Sequence, residues 1–66
     1  MHRPIIGLTC NELDKENLPK QFINEAYIHS VIRGGGCPVI LPITNDYDTI
    51  QAQVNLLDGL IVTGGI

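Results

Sequence analysis

Three short runs are apolar on both alternating faces, and they set the problem this chain must solve. They are Pro4-Ile5-Ile6-Gly7-Leu8-Thr9, Pro38-Val39-Ile40-Leu41-Pro42 and Leu60-Ile61-Val62-Thr63. A half-buried strand alternates apolar and polar residues, whereas a run without alternation belongs to a strand covered on both sides. Between the runs the pattern changes to helical spacing. Residues 20–33 carry Phe22, Ile23, Ala26, Tyr27 and Val31 as one stripe, with Tyr27 expected in the core. Residues 46–57 carry Tyr47, Ile50, Val54 and Leu57. The spacing therefore predicts β-α-β-α-β with short connections, which implies parallel strands joined by right-handed crossovers.

The punctuation agrees with that order. Asn17 is a candidate N-cap for the first helix, with Pro19 near its first turn, where a missing N–H does no harm. Arg33 suits the last turn, and Gly34-Gly35-Gly36 ends the helix because glycine reaches the left-handed C′ conformation. Thr44, Asn45 and Asp46 offer caps for the second helix, whose first turn carries Asp46 and Asp48. Residues 10–19, with Glu12, Asp14, Lys15 and Glu16, read as a polar, solvated loop.

Three continuous apolar strands need more cover than two helices provide. Chains of this length bury only about 60% of their unfolded surface. The 66 residues are therefore expected to be the N-terminal fragment, 1–66, of a single larger α/β domain. Exposed sheet edges in such a piece favour association, so a homo-oligomer is also expected.

Composition excludes several classes. Hydrophobic residues make up 44% and charged residues 17%, which is not the balance of a disordered chain. Four Lys and Arg against seven Asp and Glu leave a net charge of −3, so neither a nucleic-acid nor a membrane partner is expected. The N-terminus lacks the apolar stretch of a signal peptide, and the cytoplasm is the expected compartment. Two cysteines are too few for a disulfide scaffold or a four-thiolate zinc site. The two His and two Cys show no metal-ligand spacing, so no metal is expected.

Several residues carry candidate chemistry. Gly34-Gly35-Gly36-Cys37 is followed by no Lys-Ser/Thr pair, so it is not a phosphate-binding P-loop. No G-x-G-x-x-G follows the first strand, and no cofactor is expected. Cys10 sits at the carboxyl end of the first strand, but as a nucleophile it would need a base. His2 is expected at the opposite end of that strand, and His29 on or beside the exposed face of the first helix. Cys10 thus reads as a structural thiol, and Cys37 as a small buried hydrophobe. Thr63-Gly64-Gly65 is the most suggestive element. Glycines just past a buried strand can form a plain turn, or can aim backbone N–H groups at a phosphate or an oxyanion.

Taken in order, these pieces resemble the start of the class I glutamine amidotransferase-like family, and within it the peptidase C26 branch of γ-glutamyl hydrolases. Arg3 to Thr9 is similar to the opening strand of that branch. The stretch YIHSVIRGGGCPVILP from Tyr27 to Pro42 is similar to its Tyr-led helix, glycine turn and Pro-flanked strand. LDGLIVTGG from Leu57 to Gly65 is similar to its L-D-G-L-hydrophobic-x-x-G-G segment. The resemblance implies a three-layer α/β domain with a mostly parallel, flavodoxin-like sheet. It implies a Cys-dependent hydrolase of γ-glutamyl amide bonds acting on a small-molecule γ-glutamyl substrate. The Cys, His and Glu of that chemistry match no position here. What carries over is Gly65, with Gly64 beside it, as backbone donors of an oxyanion hole. A small-ligand-binding domain of the periplasmic-binding or repressor type, and a catalytically inactive amidotransferase-like scaffold, are the alternative readings.

Overall fold

The computed structural model describes residues 2–63. Its order is β1 (Ile5–Thr9), β2 (Asn11–Lys15), β3 (Leu18–Phe22), α1 (Glu25–Arg33), β4 (Cys37–Leu41), α2 (Tyr47–Leu56) and β5 (Gly59–Ile61). β1 is the middle strand of a three-stranded sheet ordered β4-β1-β5, and both pairings are parallel. The register sets Ile5 opposite Cys37 and Thr9 opposite Leu41 on one side, and Ile6 opposite Gly59 on the other. With the hairpin set aside, this is the second-first-third order that opens a flavodoxin-like sheet. The expected α/β class with a parallel sheet is the observed one.

Side chains alternate across the sheet, so β1 serves two faces. Ile6 and Leu8 point toward α1, where Leu8 is fully buried and Val31 is the buried residue of the helix. Gly7 faces the other way. A Cβ there would lie 2.6 Å from Leu57 Cδ1 and 2.9 Å from Leu41 Cδ1, so glycine lets the chain after α2 close on the sheet. Ile50 and Val54 of α2 border a cavity over the same face with Leu41, Thr9 and Leu60. The opposite stripe end, Tyr47, is exposed.

Both helices begin and end for local reasons. The Asn24 side chain accepts from Ala26 N at 2.9 Å and caps α1. At the other end Gly36 N donates to Val31 O and Gly35 N to Ile32 O, a Schellman motif with Gly35 at φ 92. The glycine stop is therefore as expected. Asp46 caps α2 by accepting from Thr49 N at 3.2 Å and from the Thr49 hydroxyl.

Residues 10–23 depart from expectation. In place of a polar loop and a helix start, β2 and β3 form an antiparallel hairpin with Lys15 opposite Leu18. Glu16 and Asn17 form its two-residue turn with φ 57 and 60, the signature of a type I′ turn. Asn17 is thus a turn residue and not a cap, and Pro19 lies in a strand. In such a hairpin the pair beside the turn is hydrogen-bonded and the next is not, so Pro19, opposite Asp14, faces a position that requires no N–H. Phe22 and Ile23 fall outside α1, which shortens the apolar stripe from its N-terminal end. Tyr27 is partly exposed, not enclosed in a core.

The ends of the outer strands also shift by a residue or two. β4 starts at Cys37 and stops before Pro42, and β5 ends at Ile61, leaving Val62 exposed. Cys37 is exposed as well, which corrects its expected burial: it is the first residue of an edge strand.

Candidate functional site

In open parallel sheets ligands bind outside the carboxyl ends of the strands, where the strand order reverses. Here β1 leads through α1 to β4 on one side, and the chain then returns to β5 on the other. The reversal point is the carboxyl edge between β1 and β5, which is where Thr9 and Thr63 sit.

β1 and β5 are joined at both ends by side chains as well as by their ladder. At the amino end, Ile5 N donates to Asp58 Oδ2 at 2.7 Å while Asp58 N donates to Ile5 O at 2.8 Å. At the carboxyl end, Thr63 N donates to Thr9 Oγ1 at 2.9 Å while Thr63 Oγ1 donates to Thr9 O at 2.5 Å. Thr63 is buried, and among the described residues it is the buried polar one. β5 and the two residues after it are therefore tied to β1 as far as Thr63. Gly64 and Gly65, the expected oxyanion-hole donors, lie outside the described residues.

The hairpin is anchored at the same edge. Cys10 alone separates β1 from β2. On the far strand, the Gln21 side chain accepts from Ile43 N at 2.6 Å and donates to Ile43 O at 3.0 Å. This amide copies the two-point pairing of a neighbouring strand and fastens β3 to the loop between β4 and α2. A cavity of about 240 Å³ opens nearby, bordered by Thr9, Leu41, Thr44, Ile50 and Gln53 among others.

The remaining chemistry-bearing residues do not converge. Cys10 is a partly exposed free thiol at the carboxyl end of β1, and Cys37 lies at the amino end of β4, across the length of the sheet. His2 approaches Asp58 at 4.0 Å, at the amino end of β5, and His29 is exposed on α1. Neither imidazole belongs to the Cys10 edge, so these residues assemble no thiolate–base pair. Among the described residues no group of three or more His, Cys, Asp or Glu is placed to hold a metal ion, and no helix is long and apolar enough to cross a membrane.

Two features of this edge escape sequence reading. The Thr9–Thr63 pair is invisible until the parallel register is known, since 54 positions separate the two residues. Gln21 gives no sign of its role because its partner is backbone.

Comparison with known proteins gives the same picture. The sequence profile of the peptidase C26 family matches residues 4–66. A glutamine amidotransferase-like protein of Rickettsia prowazekii (strain Madrid E) is 32% identical over 69 aligned residues, which cover 96% of this chain and 24% of that protein. The chain thus spans about a quarter of the length of the curated relative it matches. These matches favour the amidotransferase-like reading over the repressor-type ligand-binding one. With strand order and profile match in agreement, the chain belongs to the peptidase C26 family of class I glutamine amidotransferase-like proteins.

Proposed function

We propose that the protein of which residues 1–66 form the N-terminal portion is a cysteine-dependent hydrolase of γ-glutamyl amide bonds, acting in the cytoplasm on a small-molecule substrate. The observation that carries this reading is the pinned carboxyl edge, where Thr63 is tied to Thr9 immediately before Gly64-Gly65 in a chain of the C26 family.

In this reading the nucleophile comes from polypeptide beyond these residues. Its thiolate attacks the γ-carbonyl carbon, forming a carbon–sulfur bond and moving charge onto the carbonyl oxygen. The N–H of Gly65, with Gly64 beside it, donates to that oxygen as charge develops, the kind of preorganised contact that lowers the barrier most. Collapse breaks the carbon–nitrogen bond. The amine leaves with a proton from a general acid, and water then hydrolyses the thioester to glutamate and free thiol. The described residues bring no thiolate–base pair together, so this segment by itself is expected to be inactive.

The test is hydrolysis of glutamine and of a chromogenic γ-glutamyl anilide by the full-length protein. Release of glutamate at a rate abolished by alkylating the thiol supports the reading. A protein that is folded but releases none from either substrate or from longer γ-glutamyl amines is instead the inactive scaffold. Gly65→Pro removes one backbone donor and is expected to lower kcat by about 100- to 1,000-fold.

A further inference from the structure

α2 buries none of its side chains, and between it and the sheet lies a cavity of about 240 Å³. Its walls are apolar: Leu41 and Leu60 from the strands that flank β1, and Ile50 and Val54 from the helix. Thr9 borders it at the carboxyl end of β1, so the cavity reaches the point where the strand order reverses. Ile43 forms a further wall. Both of its backbone groups are held by the Gln21 amide, at 2.6 and 3.0 Å, so this wall is set before any ligand arrives.

Among the described residues no Asp, Glu, Lys, Arg or His lines the cavity, and its polar side chains, Thr9 and Gln53 among them, are uncharged. That decides which half of a γ-glutamyl amide it can hold. The glutamyl half carries an ammonium and a carboxylate, and burying either without a partner is costly. The amine half carries no obligatory charge. Volume then sets the size. Sites for drug-sized ligands begin near about 300 Å³, so a cavity of about 240 Å³ takes a short chain or a single ring.

We propose that this cavity is the leaving-amine pocket of the hydrolase, and that it selects γ-glutamyl amides of small, uncharged alkyl or aryl amines. This rests on the hydrolase reading above and names its substrate class. The amide nitrogen stays at the carboxyl edge beside Thr9, and the hydrocarbon part enters between Leu41 and Leu60 on one side and Ile50 and Val54 on the other. An amine that ends in a carboxylate or an ammonium leaves that charge in the same apolar space and is disfavoured.

The experiment gives the full-length protein the γ-glutamyl amides of butylamine, 4-aminobutanoate and 1,4-diaminobutane. The three share a four-carbon chain and end uncharged, anionic and cationic. kcat/KM for the butylamide is expected to exceed that for each charged amide by about tenfold or more. Two variants then move the cavity in opposite directions. Val54→Phe fills it and should lower the ratio of butylamide to glutamine turnover by about tenfold. Ile50→Ala enlarges it and should shift preference from the butylamide toward the hexylamide by a similar factor, about tenfold. Equal turnover of the three amides, or preference for a charged one, would overturn the proposal. So would variants that lower Tm while both ratios stay at the wild-type value, because the cavity is then space that the rest of the domain fills. A wild-type protein that hydrolyses none of the amides, glutamine included, would instead remove the hydrolase reading. The pocket is then judged by NMR titration with N-butylacetamide, a neutral amide with the same chain. Binding that Val54→Phe weakens keeps the apolar pocket without the reaction, and no binding to wild type rejects the pocket as well.

Discussion

Asp58 and Ile5 exchange two hydrogen bonds at the amino end of the sheet, one to the Asp58 carboxylate and one from its backbone N–H. The carboxylate is about half exposed, so its bond competes with water. Asp58→Ala in the full-length protein is expected to cost about 1 kcal/mol, and Asp58→Asn less, because an amide oxygen still accepts. Urea denaturation checks this: the midpoint should fall for alanine with an unchanged m value. Equal midpoints for wild type and alanine would mean that the backbone bond alone aligns β5.

Gly7 makes a sharper prediction about packing. Its missing Cβ is the space that Leu57 and Leu41 occupy, at 2.6 and 2.9 Å from where that atom would be. Gly7→Ala should destabilise by about 1–3 kcal/mol through overpacking. Leu57 makes the nearest of these contacts, so Gly7→Ala combined with Leu57→Ala should cost less than the two single changes added together. A double-mutant cycle with additive effects would show that backbone movement, and not Leu57, absorbs the methyl group.

The parts of this fold legible in the sequence are those written in local pattern. The runs at Ile5–Thr9 and Cys37–Leu41 lack apolar–polar alternation, the local pattern of strands in a parallel sheet, and the structure pairs them in parallel although β4 stays largely open on these residues alone. Asp46 and the glycine stop after Arg33 work through neighbours within a few residues, so their roles are visible in one dimension. The hairpin was hidden for the opposite reason. Its turn is Glu16-Asn17 in place of Asn-Gly, its second strand contains Pro19, and Phe22-Ile23 continue the apolar spacing of the helix that follows. Each signal there pointed away from a strand. Of the candidate site, the glycine pair is an expectation read from its place after an apolar run, and it lies outside the described residues. The Thr9–Thr63 pair required the register, which no local pattern encodes.

The turn itself is improvable, which gives a third prediction. Glu16 adopts φ 57, a left-handed conformation in which a Cβ is crowded, and Asn17 adopts φ 60. Asn and Gly are the preferred pair for a type I′ turn. Glu16→Asn together with Asn17→Gly should therefore stabilise the hairpin by about 0.5–1 kcal/mol. The gain should appear as slower amide exchange in β2 and β3 with little effect on β1. Faster exchange would mean that the Glu16 side chain makes a compensating contact.

A last prediction concerns Gln21, whose side-chain amide pairs with both backbone groups of Ile43. A hairpin of two strands is marginal on its own in water. Leu13, Leu18 and Phe22 are all exposed, so apolar burial adds little. The amide clamp is therefore the main polar tie between β3 and the sheet's carboxyl edge among the described bonds. Gln21→Met preserves length and removes both bonds. Gln21→Glu keeps an acceptor but sets a carboxylate against the Ile43 carbonyl, which repels it. Both changes should raise the exchange rate of the Ile43 amide, by about tenfold if the clamp contributes near 1.4 kcal/mol locally, with glutamate the worse of the two. Global stability should move little, because the bonds are exposed and the sheet does not depend on them. On the proposed hydrolase reading, the same variants should raise KM for a γ-glutamyl anilide more than they lower kcat, because the hairpin supplies no reacting group.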